Sequence, residues 1–133
     1  EWDDLYERMH HHIQEDSQKL AGHMGDNSRF VINVGQAIYN ARQDRKLSKF
    51  GYLLQRAQDN THLSEGMPMY IASLCYAYVL LGIGLDDAVF YPEYSKDSHL
   101  TGDRGNTLST EYRNTPAQAA RARRCAWEAV QKD

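Results

Sequence analysis

The sequence predicts an all-α fold, a compact bundle of about five or six short helices around one core. Three observations carry this prediction. Apolar residues recur at spacings of three, four and seven. The periodic runs open at cap-forming residues or proline and close at glycine or polar clusters. No stretch shows the alternation of a half-buried strand or a β-hairpin. At 133 residues the chain is long enough for one core, and 41% hydrophobic content with 25% charge argues against wholesale disorder.

Residues 1–25 form the first unit. Trp2, Leu5, Tyr6, Met9, Ile13, Leu20 and Met24 make an amphipathic stripe that needs a partner surface, and Gly22 and Gly25 with Asp26-Asn27-Ser28 are expected to end it. Residues 28–90 are expected to form the central helical domain. Its first run is Phe30, Val31, Val34, Ala37, Ile38 and Ala41, with Asn27 or Ser28 as the cap. Ser48 caps a short helix through Phe50, Leu53, Leu54 and Ala57, and residues 58–66 have room for two polar turns anchored by Leu63.

Pro68 suits the first turn of the next helix, where its missing N–H is no loss. Met69 to Leu81 is apolar on most sides and reads as the central core helix, closed by Gly82. Leu85 to Phe90 reads as a short helix with Asp86 and Asp87 at its positive end. Residues 91–114, punctuated by Pro92, Gly102, Gly105 and Asn106, read as a linker or extended arm. Residues 115–131 form the last helix: Thr115 caps it, Pro116 takes its first position, and Ala119, Ala122, Ala126, Trp127 and Val130 supply its apolar side.

The longest apolar run, 67–81, is too short for a bilayer, which needs about 20 residues. The acidic start Glu1-Trp2-Asp3-Asp4 lacks a secretory pattern, and Cys75 and Cys125 make no disulfide framework. A soluble cytoplasmic protein without membrane contact is the expectation. The net charge of -3 excludes a uniformly basic nucleic-acid coat, but the charge is segregated. Residues 31–60 hold five basic and two acidic side chains, including Arg42, Arg45, Lys46, Lys49 and Arg56; Arg121, Arg123 and Arg124 form a second basic cluster. Each is either a solvated helix face or a phosphate-facing surface.

Val34-Gly35-Gln36-Ala37-Ile38-Tyr39-Asn40-Ala41-Arg42, Lys46-Leu47-Ser48, Glu65-Gly66-Met67-Pro68 and Leu80-Leu81-Gly82-Ile83-Gly84-Leu85-Asp86-Asp87-Ala88-Val89-Phe90 follow one another in a recognisable order. Over residues 31–90 the chain resembles the lambda-repressor-like (Cro/C1-type, XRE) helix-turn-helix family. The resemblance implies a helix-turn-helix core flanked by the N- and C-terminal helices, acting as a homodimeric, sequence-specific DNA-binding transcriptional regulator on double-stranded DNA. Carried onto this sequence, it places Ser48 and Lys49 at the start of the second helix and Asp59, Asn60, Thr61 and His62 in the recognition helix. Asn60 has the chemistry to read adenine, Thr61 to reach a base edge, and Arg42, Arg45 and Lys49 to neutralise phosphate. Trp2, Leu5, Tyr6, Met9, Ile13 and Trp127 are the expected dimerisation residues.

Ser48 to Pro68 is about one helical turn shorter than the family pattern, and Asp59 and Glu65 repel phosphate. The alternative is therefore a non-enzymatic helical protein–protein adaptor on a degenerate helix-turn-helix scaffold. Tyr70, Tyr76 and Tyr78 favour such contacts, since Tyr76 and Tyr78 lie about 200° apart and cannot share one face.

No enzyme, catalytic residue, metal or cofactor is expected. Glu7, His11 and Glu15 share a helix face with metal-ligand chemistry, but adjacent His10, His11 and His12 point apart and read as solvated. Cys75 reads as a small buried hydrophobe, whereas Arg123 and Arg124 beside Cys125 are of the sign that lowers a thiol pKa.

Overall fold

The computed structural model describes residues 2–47, 62–101 and 106–131. These form four α-helices and a two-stranded antiparallel sheet. The fold is thus predominantly helical, not all-α; of the helix-turn-helix-like domain expected over residues 28–90, the second helix and most of the recognition helix fall on residues 48–61, outside the described ones.

Helix α1 spans Trp2–Met24, and a 3-10 turn over Gly25–Phe30 follows it. The helix passes through Gly22 and ends where Gly25 takes a left-handed φ of 54°, as expected of a glycine stop. Helix α2, Val34–Gln43, begins later than the apolar periodicity predicts. The reason is the cap: Asn33, not Asn27 or Ser28, accepts the Gln36 N–H on its side chain at 3.1 Å.

Helix α3, Met67–Tyr76, continues as a π-helical turn over Ala77–Leu81 and stops at Gly82, whose φ is 64°. The expected helix at 85–90 does not form. The Gly84 N–H instead donates to Asp87 Oδ2 at 2.6 Å, and the Asp87 N–H donates back to the Gly84 carbonyl at 3.1 Å. Asp87 thus closes a turn rather than capping a helix.

The larger correction concerns residues 91–114, which are not a linker. Strand β1, Tyr94–Thr101, pairs antiparallel with strand β2, Asn106–Arg113, in a register running from Tyr94 opposite Arg113 to Thr101 opposite Asn106. A lone hairpin is marginal in water, and this one is anchored at its base. The Lys96 N–H donates to the Glu65 carbonyl at 3.0 Å, and the Met67 N–H donates to Ser95 Oγ at 2.8 Å. Buried Asn114 donates from Nδ2 to the Pro92 carbonyl at 2.8 Å and to Ser95 Oγ at 3.1 Å. The Asn114 backbone N–H donates to the Glu93 carbonyl at 2.8 Å, so one residue ties the start of the hairpin to its end.

Gly66 makes this junction possible. Its φ is 93°, and a Cβ there would lie 2.4 Å from Ser95 Cα and 2.5 Å from the Tyr94 carbonyl oxygen. Helix α4, Pro116–Val130, opens with the expected Thr115 cap and Pro116. Gln118 completes a capping box: Thr115 Oγ1 accepts its N–H at 3.2 Å, and its Oε1 accepts the Thr115 N–H at 3.0 Å.

The core lies between α2, α3 and α4. Ala37, Ile38 and Ala41 meet Ile71, Leu74, Cys75 and Tyr78, with Ala122, Cys125 and Ala126 on the third side. Alanines on both α2 and α4 let the two helices approach closely. They run antiparallel, because Asn40 reaches the Cys125 carbonyl while Asp44, one turn on, meets Arg121, one turn back.

Candidate functional site

Two surfaces combine exposure with chemistry. The first is the end of the molecule where α2 meets α4. Arg121 Nε lies 2.9 Å from both carboxylate oxygens of Asp44, so the basic residues of the α2 end and of α4 share one surface. Arg121 and Arg124 are exposed on it; Arg45 and Lys46 are exposed in the turn that follows α2, and Arg42 is half-buried in its last turn. An open groove of about 650 Å³ between the helices is bordered by Gln43, Asp44, Arg121, Arg124 and Glu128. Burial raises the Asp44 pKa, but the Arg121 hydrogen bond and the backbone N–H groups of Lys46 and Leu47 prevail, leaving it below the usual value.

Behind this surface a row of amides locks three helices together. Gln14 of α1 donates to Gln36 Oε1, Gln36 Nε2 donates to Asn40 Oδ1 at 2.7 Å, and Asn40 Nδ2 donates to the Cys125 carbonyl at 3.3 Å. On the same side of α1, His10 stacks on Tyr39 at 4.0 Å. Partial burial lowers the His10 pKa, with Glu7 opposing, while desolvation and Glu7 raise that of Tyr39.

The second surface is the outer face of α3. The inner face buries Ile71, Leu74, Cys75 and Tyr78, while Met69, Ser73, Tyr76 and Leu80 lie on the outside. Leu81 is 73% exposed, and Val89 and Phe90 in the following loop exceed 80%. The loop returns alongside the helix: the Tyr78 hydroxyl donates to the Leu85 carbonyl at 3.1 Å and the Tyr70 hydroxyl to the Ala88 carbonyl at 3.3 Å. Val89 and Phe90 therefore emerge at the Met69 end of α3.

Of the expected DNA-contacting residues, Arg42 lies in the last turn of α2, Arg45 in the turn after it, and His62 is exposed before α3. Ser48, Lys49, Asn60 and Thr61 lie outside the described residues. Of the expected dimerisation residues, Trp2, Leu5 and Tyr6 are described only as backbone on the first turns of α1, while Met9 and Ile13 are about two-fifths exposed. Ile13 also reaches Gly35 of α2, its Cγ2 standing 3.4 Å from the position a Cβ would take there. Trp127 is half-buried and already packed within the chain, edge-on to Tyr78 at 5.1 Å and 89°.

The thiols and histidines complete the inventory. Burial pushes Cys75 up to about 12, as expected of a core thiol. Cys125 is also pushed up, to about 11, by burial and by Asp44 and Glu128, which corrects the expected lowering by neighbouring arginines. Burial likewise pushes the Tyr78 hydroxyl up to about 12, with Tyr70 adding and Arg123 opposing. His11 and His12 both lean on Glu15, at 3.4 and 3.7 Å. Among the described residues no three His, Cys, Asp or Glu side chains converge to hold a metal ion.

Of the outer face of α3, sequence reasoning singled out Tyr76 alone, among the tyrosines expected to favour protein contacts. The signal of the face was there: a run apolar on most sides has more apolar surface than one core can cover. No protein-family model, curated protein or solved structure matches the chain.

Proposed function

We propose that the chain is a non-enzymatic helical adaptor whose partner protein docks on the outer face of α3. The supporting observation is the exposed apolar row of Met69, Tyr76 and Leu80 on one face of α3, with Leu81 after it, all 47% exposed or more. Exposed large apolar side chains that share one face mark an interaction surface. No Asp, Glu, Lys, Arg or His occurs from Met67 to Leu85, so the face has nothing to attract nucleic acid or a charged peptide. A photo-crosslinking residue at Tyr76 tests the reading. Covalent capture of a partner that is lost with Leu80→Glu supports it; partner cross-links confined to other surfaces refute it.

The second reading is the homodimeric, helix-turn-helix regulator on double-stranded DNA. Its support is the Asp44–Arg121 contact, which gathers basic residues of α2 and α4 at one end. In this reading Arg42, Arg45 and Lys49 contact phosphate and Asn60 and Thr61 contact bases. Each lost phosphate contact should reduce the slope of log affinity against log salt by about 0.9. Equal affinity of wild type and Arg45→Ala/Arg124→Ala for duplex DNA across salt removes it.

A further inference from the structure

We infer that α1 is a hinged arm that swings off the rest of the chain about Gly25 as one helix, while the core between α2, α3 and α4 stays folded.

Four features support this. The first is burial. Helices α2, α3 and α4 each place at least three residues in the core, whereas from Glu7 to Met24 every residue of α1 is exposed or half-buried. Met9, Ile13 and Leu20 of its apolar stripe are 39–51% exposed. A helix in a protein owes most of its stability to a packed apolar face, and this stretch has none.

The second is how α1 is attached. Its described side-chain contacts with α2 run from Glu7 to Gln14, two turns of a helix about 35 Å long. The Tyr39 hydroxyl donates to Glu7, His10 stacks on the Tyr39 ring at 4.0 Å and 3°, Ile13 stands over Gly35, and Gln14 donates to Gln36 Oε1. Water can take over hydrogen bonds between such partly exposed groups, so lifting the arm strands no buried polar atom.

The third is the gap beyond Gln14. An open groove of about 280 Å³ separates Ser17, Gln18 and Ala21 of α1 from Ala129, Val130 and Gln131 at the end of α4. The fourth is the pivot. Gly25 has a φ of 54° and nothing within 4 Å of the position a Cβ would take, so its dihedrals can change without collision. Docked, the arm is a strap over the amide row. Lifted, it takes the donor from Gln36 Oε1 and opens Gln36 and Tyr39, a polar strip of α2, to other donors.

The test uses the full chain. The native thiols are buried, so spin labels attach only at Lys19→Cys on the arm and Glu128→Cys on α4, both exposed positions. Dipolar distance measurements should give a short, docked population and a broad, longer one. His10→Ala with Gln14→Ala should raise the ratio of long to short about tenfold, the effect of losing a ring stack and an amide hydrogen bond. Alanine is the best helix former, so this variant keeps α1 helical. Hydrogen exchange at the Ala41, Leu74 and Ala126 amides should be unchanged.

A single population that the two substitutions leave in place overturns the inference, because α1 is then either fixed or never docked. So does a long population that grows only as those three amides lose protection, because α1 then moves only when the whole chain unfolds.

Discussion

Replacing Gly66 by alanine should be among the most disruptive single-methyl changes in the described chain. Two independent penalties add. The backbone has φ 93° and ψ −118°, a conformation that charges a non-glycine residue about 1–3 kcal/mol. The new Cβ would also lie 2.4 Å from Ser95 Cα, 2.5 Å from the Tyr94 oxygen and 2.6 Å from Ser95 Oγ. The first two are backbone atoms, so no side-chain rotation relieves the overlap, and the hairpin must retreat by roughly 1 Å. That movement stretches the Lys96-to-Glu65 and Met67-to-Ser95 hydrogen bonds, each contributing about 1 kcal/mol. The expected loss is about 3–5 kcal/mol. Gly82→Ala is the control: its φ is 64° but nothing lies within 4 Å, so only about 1–2 kcal/mol of conformational penalty applies. Urea melts give the difference, and amide exchange at Met67 and Lys96 shows whether the junction opened. A Gly66→Ala protein within about 1 kcal/mol of wild type, with both amides still protected, would refute the reasoning.

The other expectations are smaller. Because the folded Asp44 pKa is lowered, its contribution to stability is present above the ordinary carboxyl pKa and is lost as pH falls through the lower folded value. Acid titration of wild type against Asp44→Asn should therefore converge at low pH and diverge by about 1 kcal/mol near neutrality, since Arg121 is half exposed. Asn40→Leu should destabilise by about 1–3 kcal/mol by leaving Gln36 and the Cys125 carbonyl short of partners, read by thermal melt. Thr115→Ala should lose about 1 kcal/mol through the capping box, with faster exchange confined to the first turn of α4. Both thiols should resist alkylation at mildly alkaline pH in the native state and react only on unfolding, since burial holds them near 12 and 11.

What could be read in advance was what local chemistry determines. Thr115-Pro116 opens a helix because a side-chain oxygen and a missing N–H act within one turn, and Gly82 closes one by its own φ. The start of α2 was misplaced because Asn27, Ser28 and Asn33 are all competent caps, and only the course of the preceding 3-10 turn selects among them. The hairpin was invisible for a different reason. Tyr94–Thr101 and Asn106–Arg113 carry almost no apolar alternation, and their anchor is a glycine some thirty residues earlier with a buried serine and asparagine. Cys125 shows the same limit in electrostatics. Arg123 and Arg124 are close in sequence, but positions one and two apart do not face each other on a helix, and burial decides the thiol instead.

The outer face of α3 lies between these cases, and the backbone itself indicates why it is more than leftover apolar surface. The inner stripe Ile71, Leu74, Cys75 and Tyr78 would continue, in regular α geometry, to Leu81. Burying that leucine would contribute about 1.5–3 kcal/mol. The chain instead widens into a π-helical turn over Ala77–Leu81, keeps Tyr78 in the core against Trp127, and turns Leu81 outward beside Leu80. Such turns are rare and concentrate where a helix serves a function. A core position has been exchanged for an exposed pair of leucines at one end of α3, while Val89 and Phe90 stand at the other. The single chain gains the Tyr78–Trp127 contact and leaves the leucine pair uncovered. A partner docked on the outer face recovers that burial, as the adaptor reading requires.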